Sequence, residues 1–270
     1  MTYTFHEKKH IHLLGGKPLI GTTTAMKVLA KPLTWWASGM AVGKLGWLDP
    51  KKNTPEEVRE ALATGFEKVK GLDIEGYRKL LAEAYKAHAE RLKESAKTGT
   101  DRHAVLQDYV QSCLAKERVL GFEEWELSFK EETGVKSFID WSVGNVERFL
   151  FSELNCYSER LWVGGVSDAG AILKDGQKAL IDFKSSKEAY PDQFFQCGFY
   201  ALQIEENGGY TAEGEKILEP MEFDQYLVVP FGANNVVPVP FYDTVTAKEA
   251  AEIVVGLYKR IETTNQLLQI

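Results

Sequence analysis

Between Gly164 and Lys184 the chain carries charge where a strand has almost no room for it. The run Ala179-Leu180-Ile181-Asp182-Phe183-Lys184 is apolar except at Asp182 and Lys184, and it follows Gly164-Gly165-Val166-Ser167-Asp168 across the turn Lys174-Asp175-Gly176. A short apolar run bounded by a turn reads as a strand buried on both faces. A charge inside such a strand needs a partner or a cation. Loop length decides which side chains meet, because paired residues of a hairpin point to the same side of the sheet. A three-residue loop with Gly176 in the left-handed position pairs Leu173 with Gln177, sets Asp168 opposite Asp182 and puts Lys184 on their face. A two-residue loop at Asp175-Gly176 sets Asp168 opposite Phe183 and sends the carboxylates to opposite faces, unless a bulge restores the register. A site shared by the two acids therefore requires the longer loop or a bulge.

The chain has 270 residues, 44% hydrophobic and 26% charged, which suits one large domain or a domain with a sizeable extension. We expect an N-terminal hairpin and helical extension over 1–97, packed on a core over 98–270. No uninterrupted apolar run approaches the ~20 residues of a membrane span, and no apolar signal region follows the first residues. Three separated cysteines, Cys113, Cys156 and Cys197, argue against a disulfide framework or a cysteine-bound cluster, so a cytoplasmic setting without membrane association is expected. The net charge of −7 weighs against coating nucleic acid by bulk electrostatics. Any nucleic-acid contact must be local, where a bound cation reverses the field of its acidic ligands.

Along the chain, residues 10–20 read as a hairpin turning at Gly15-Gly16-Lys17, and Thr22–Leu29 as a capped helix halted near Pro32. Trp35 and Trp36 are assigned to packing rather than to base stacking, since buried tryptophan is the commoner case. Thr54-Pro55-Glu56-Glu57 starts a helical hairpin that runs to about Ala96 and breaks near Gly71-Leu72-Asp73. A third helix is expected from Gly99-Thr100-Asp101, with His103 in its first turn, ending before Gly121. After it come the alternating Trp125, Leu127 and Phe129, a helix from Phe138 to Phe149, a hairpin over 160–184 and a helix opened by Pro191-Asp192. A buried strand at Gln225–Val229 and an amphipathic helix from Thr246 to Leu267 close the chain. Strands flanked by helices on this scale give an α/β (α+β) domain with a central mixed β-sheet.

The order His103, Asp168, Asp182-x-Lys184, Gln196-x-x-x-Tyr200 resembles the PD-(D/E)XK nuclease superfamily, in its RecB-like, phage-type exonuclease branch, over roughly residues 99–203. The resemblance implies a restriction-endonuclease-like core and a metal-dependent deoxyribonuclease, an exonuclease acting on DNA ends or single strands in recombination, repair or phage replication. It implies Mg²⁺ or Mn²⁺ held by His103, Asp168, Asp182 and the main-chain carbonyl of Phe183, with Lys184 catalytic and Gln196 and Tyr200 positioning lysine or substrate. Glu153 and Glu147 are further acids to consider upstream of the Gly165-Val166-Ser167-Asp168 strand, although solvation is the ordinary role of either. Gln193 competes for the glutamine role, but the four-residue spacing to Tyr200 favours Gln196. No iron–sulfur cluster is expected, for want of a cysteine quartet. DNA is the implied partner, and a recombination or annealing protein or self-association is compatible with the resemblance.

Chemistry agrees with it. Hard divalent cations prefer oxygen ligands, a histidine shifts preference toward Mn²⁺, and such an ion offsets charge on a scissile phosphate while Lys184 orients the nucleophile. Alone, Asp-x-Lys on a strand is usually a solvent-facing pattern, and Gln196 with Tyr200 a helix face with one buried tyrosine. A catalytically silent DNA-binding or assembly subunit with the same fold is the alternative. A rival motif, His6-Glu7-Lys8-Lys9-His10, matches the His-Glu-x-x-His pattern of zinc peptidases but requires a helix, for which this segment lacks apolar spacing.

Overall fold

The structure, a computed structural model, describes residues 1–30, 34–125, 133–232 and 237–268, with 94–101 and 133–134 described as backbone alone. The chain divides into two compact units, Lys31–Thr98 and the remainder, and of the two points where the chain passes between them the second, Thr98 to Gly99, falls within one long helix. Leu127, Phe129 and Pro32 lie outside the described residues.

The larger unit opens with β1 (Tyr3–His6), β2 (Ile11–Leu14) and β3 (Lys17–Pro18), a small antiparallel sheet in the order β1-β2-β3. Leu14 pairs with Lys17, so Gly15-Gly16 form the expected turn. Between β1 and β2 the chain makes a 3-10 turn over Glu7–Lys9, and His10 sits at φ 49°. The His-Glu-x-x-His segment is thus no α-helix and cannot present both histidines on one helical face. After β4 (Ile20–Gly21) comes α1 (Thr22–Ala25), then a 3-10 turn over Met26–Leu29. The expected capped helix is shorter than the sequence implies, and Gly21 at its start supplies no side-chain cap.

In the helical unit, α2 (Thr34–Lys44) is followed by α3 (Pro55–Lys70). Thr54 caps α3 in a reciprocal box with Glu57, and Pro55 occupies the first turn. Then α4 (Ile74–Ala115) runs without a break through Gly99-Thr100, where a new helix was expected. One glycine costs a helix about 1 kcal/mol, and although Thr98, Thr100 and Asp101 beside it are modest helix formers, the helical segments on either side carry α4 through them. His103 therefore lies well inside α4 rather than in a first turn.

The large sheet belongs to the other unit. Helix α5 (Thr133–Asn145) ends earlier than expected, because residues 146–149 already belong to β5 (Val146–Ser158). Then follow β6 (Val163–Leu173), β7 (Lys178–Lys184), α6 (Pro191–Asn207), β8 (Gly209–Tyr210), β9 (Lys216–Leu218), β10 (Gln225–Pro230), β11 (Val239–Phe241) and α7 (Thr244–Leu268). The strands form one mixed sheet in the order β11-β10-β7-β6-β5-β8-β9, with β4 parallel to β6. The chain is a mixed α/β protein whose large sheet is flanked by helices, as expected. No helix of the described residues is long and apolar enough to cross a membrane.

Strand β7 shows why its sequence is apolar. Ala179, Ile181 and Phe183 pack with Leu106 and Tyr109 of α4 and Phe138 of α5, whereas Leu180 packs with Cys197, Tyr200 and Ile204 of α6. Both faces are covered, and each buried Leu, Ile or Phe contributes ~1.5–3 kcal/mol. On its edges β7 pairs antiparallel with β6 and parallel with β10. The β6–β7 turn is the three-residue loop: Leu173 N–H bonds Gln177 O at 2.8 Å, and Gly176 sits at φ 88°. Since a β-branched side chain is strained there, Gly176→Val should lower stability by about 1–2 kcal/mol. Urea denaturation should then show a lower midpoint at unchanged slope; an unchanged midpoint would contradict this turn.

Candidate metal and phosphodiester site

The regular β6–β7 ladder runs from Ile172↔Lys178 to Ala169↔Ile181. One step further, Asp168 and Asp182 face each other, and here the strands stop bonding as a ladder. Asp168 instead turns its Oδ2 onto the Phe183 N–H at 2.7 Å. Phe183 thus meets Asp168 through its backbone N–H. The other Asp168 oxygen, Oδ1, is 3.2 Å from His103 Nε2. An ionised carboxylate only accepts, so the proton belongs on Nε2 in this contact. Phe183 and Phe231 meet the His103 ring edge-on and fix its plane.

A third acid completes this group. Ser152 pairs with Ala169 and Leu154 with Ser167, so Glu153 stands across from Asp168 on the neighbouring strand. Its backbone is left-handed, at φ 52°. A non-glycine residue costs about 1–2 kcal/mol there, and such strain inside a regular strand is characteristic of functional positions. Glu153 Oε1 lies 4.0 Å from His103 Nδ1. One ligand atom each from His103, Glu153 and Asp168 fall within 4.8 Å of one another, close enough to hold one ion. Glu147, by contrast, is exposed and outside this group.

Asp182 and Lys184 form the adjoining half. Asp182 is 1% exposed, and Lys184 Nζ lies against its Oδ2. Neither oxygen of Asp182 nonetheless receives a hydrogen bond of good geometry. Burial pushes the Asp182 carboxyl up in spite of Lys184, while Asp182 in turn keeps Lys184 firmly protonated against the effect of its own burial. Of the two we take the charged lysine as the fixed point. The deficit is then of positive charge around Asp182, and an orphaned, buried carboxylate oxygen near the Asp168 carboxylate and the His103 imidazole fits a divalent cation.

No protein-family model matches the chain, and no curated protein matches it in sequence. The residues must carry the reading themselves.

Helix α6 supports the site from one face. Gln196 Nε2 bonds Tyr200 OH at 2.7 Å, and the Tyr200 ring reaches the sheet where Gly165 leaves space: a Cβ at Gly165 would stand 2.7 Å from its Cε1. Burial, and then the charges of Asp182 and Asp168, push the Tyr200 hydroxyl well up. Among the described residues Lys184 pairs with Asp182 rather than with Gln196 or Tyr200. Gln193 stands apart from this pair, since its side chain bonds Tyr190 N–H and Ser186 Oγ and closes the start of α6. Cys197, buried nearby, is no nucleophile, because burial and the charge of Asp182 push its thiol well up.

The sequence offers Glu153 only as a further acid, level with Glu147, because a helix expected to reach Phe149 leaves no strand assigned at 153. Carried back from Ser158↔Val163, the four-residue β5–β6 connection would have set residue 153 against 168.

Burial works against a charged His103, but the hydrogen bond and charge of Asp168, with Glu153 behind them, hold its pKa above the ordinary value. Burial and the neighbouring Asp168 also raise Glu153. Both groups must lose their protons to hold a metal, so Mn²⁺ affinity should strengthen as pH rises through these raised values. A raised carboxyl costs stability once pH climbs above it. In EDTA near pH 8, Glu153→Gln should therefore raise Tm by about 2 °C, with the gain fading toward pH 4. With excess Mn²⁺ the order should reverse. Thermal melts across pH, with and without Mn²⁺, check both signs, and an E153Q gain that persisted in saturating Mn²⁺ would count against this ion site.

Proposed function

We propose that the chain is a divalent-metal-dependent deoxyribonuclease, an exonuclease hydrolysing phosphodiester bonds at DNA ends or in single strands, of the PD-(D/E)XK kind its motif order resembles. One observation carries the reading: the buried Asp182 carboxylate, with an unsatisfied oxygen, stands beside Lys184 and next to the His103–Glu153–Asp168 group. His103, Glu153, Asp168 and Asp182 would hold Mg²⁺ or Mn²⁺. When bound, the ion supplies Lewis acidity and offsets charge on the scissile phosphate.

The remaining work falls to the chain. Lys184, a cation 20% exposed at the mouth of the site, can donate to a nonbridging phosphate oxygen or orient an attacking water. Asp168 ties down the Phe183 N–H and keeps the β7 backbone in register beside the reacting group. Tyr200, neutral and bonded to Gln196, closes the α6 side without adding charge.

The test compares wild type with Asp182→Asn and Lys184→Ala on end-labelled single- and double-stranded DNA in Mg²⁺, Mn²⁺ or EDTA. Cleavage should require metal, and each substitution should lower its rate by ~10²–10³. Equal digestion by all three proteins would remove the assigned mechanism. Metal-independent binding without any cleavage would instead identify a silent DNA-binding subunit.

A further inference from the structure

Among the described residues the two units treat aromatic side chains in opposite ways. In the larger unit Tyr242 is the one exposed aromatic. In Lys31–Thr98 all six, Trp35, Trp36, Trp47, Phe66, Tyr77 and Tyr85, are exposed, Trp35 to 90% and Tyr85 to 78%. The assignment of Trp35 and Trp36 to packing is thereby overturned. Buried aromatics dominate folded cores, so a unit that fully buries none of them and leaves Trp35, Phe66 and Tyr85 largely in solvent presents a surface for something else.

Charge narrows the occupant. Lys31–Thr98 carries 13 Lys and Arg against 10 Asp and Glu, while the rest of the chain carries 19 against 29. A protein of net charge −7 thus concentrates its positive balance on the unit that exposes its rings. On α4 the pattern is local. Ile74, Tyr77, Leu81 and Tyr85 fall within a sector of about 80° at 100° per residue, with Tyr77 and Tyr85 about 12 Å apart along the axis. Lys86 follows Tyr85 directly and is exposed, and Arg78 follows Tyr77, exposed but paired with Glu75, from which a phosphate would have to take it.

We propose that Lys31–Thr98 binds single-stranded DNA, with Trp35, Tyr77 and Tyr85 stacking on bases and the adjacent Lys and Arg side chains meeting phosphates. Flat rings beside cations suit unpaired bases, whose faces a duplex keeps stacked on one another. The inference extends the nuclease reading, from which it takes the polymer, and makes this unit the arm that holds a strand while another part of the chain cuts.

The experiment uses the full-length protein in EDTA, so that binding is read without cleavage. Fluorescein-labelled oligo(dT) should bind more tightly than a blunt duplex of equal length and should quench tryptophan fluorescence. Since one stacked base is worth ~1–3 kcal/mol, Trp35→Leu and Tyr85→Leu should each weaken oligo(dT) binding about 5- to 150-fold. Trp35→Phe and Tyr85→Phe, which keep a ring, should retain most of it. Both positions are solvent-exposed, and circular dichroism with thermal melts will verify folding of all four variants. Leucine variants that bind oligo(dT) like wild type would overturn the proposal. So would variants that change only the oligomeric state in light scattering, because the surface would then be an interface between copies. In the wild-type protein, ring-dependent binding without any metal-dependent cleavage defeats the nuclease reading alone, and metal-dependent cleavage with ring-independent binding defeats this proposal alone.

Discussion

A carboxylate shut inside a strand that is covered on both faces dictates the arrangement around it. Strand β7 earns its place in the sheet through Leu180, Ile181 and Phe183, which face opposite helical layers and are each nearly inaccessible to water. Asp182 is carried into the same environment because it lies between two of them. Replacing it by an apolar residue would make a better strand, as exchanges of buried ion pairs for apolar groups often do. Lys184 offsets only part of the cost: it meets one carboxylate oxygen, while burial still holds the Asp182 pKa up.

The second half of the site arises from geometry that composition does not reveal. Glu153 and Asp168 are cross-strand neighbours of like charge, an arrangement that destabilises an ordinary sheet. The left-handed backbone at Glu153 and the turning of Asp168 onto Phe183 N–H bring both toward His103 of α4. A helix on one face of the sheet and two strands within it thus deliver three ligand types to one point, and the end of the β6–β7 ladder provides the opening.

The hairpin was legible because it rests on a local rule. Turn length sets parity, Gly176 sets turn length, and the apolar run sets the strand. The Thr54-Pro55 start of α3 and the proline start of α6 are equally local and are found where expected. The misreadings have a common cause in tertiary support. Gly99 did not break α4, because the helical segments on either side carry the helix through the weak stretch Thr98-Gly99-Thr100-Asp101. Residues 146–149 went to β5 because Val146 pairs with Leu173 and Phe149 with Ala171, contacts to a strand some twenty residues away. The exposed Trp35 and Trp36 defied the usual preference of tryptophan for a core, since α2 offers no buried residue for them to join.

Three unfavourable features coincide at the site: a strained backbone at Glu153, like charges at Glu153 and Asp168, and an unsatisfied oxygen on Asp182. Protonation is one way to relieve such stress, and the raised pKa values of Asp182 and Glu153 lean that way. Yet a proton on Asp182 would weaken the attraction that holds Lys184 in place, and a proton on Glu153 leaves its backbone strain untouched. A divalent cation held by the His103–Glu153–Asp168 group, as we propose, would act on all three together. It would turn the repulsion between Glu153 and Asp168 into shared ligation, give the strained backbone a reason to hold Glu153 where it is, and add positive charge near Asp182. A sheet selected only for stability would have discarded each feature separately, so their survival in one place argues for a single charged occupant.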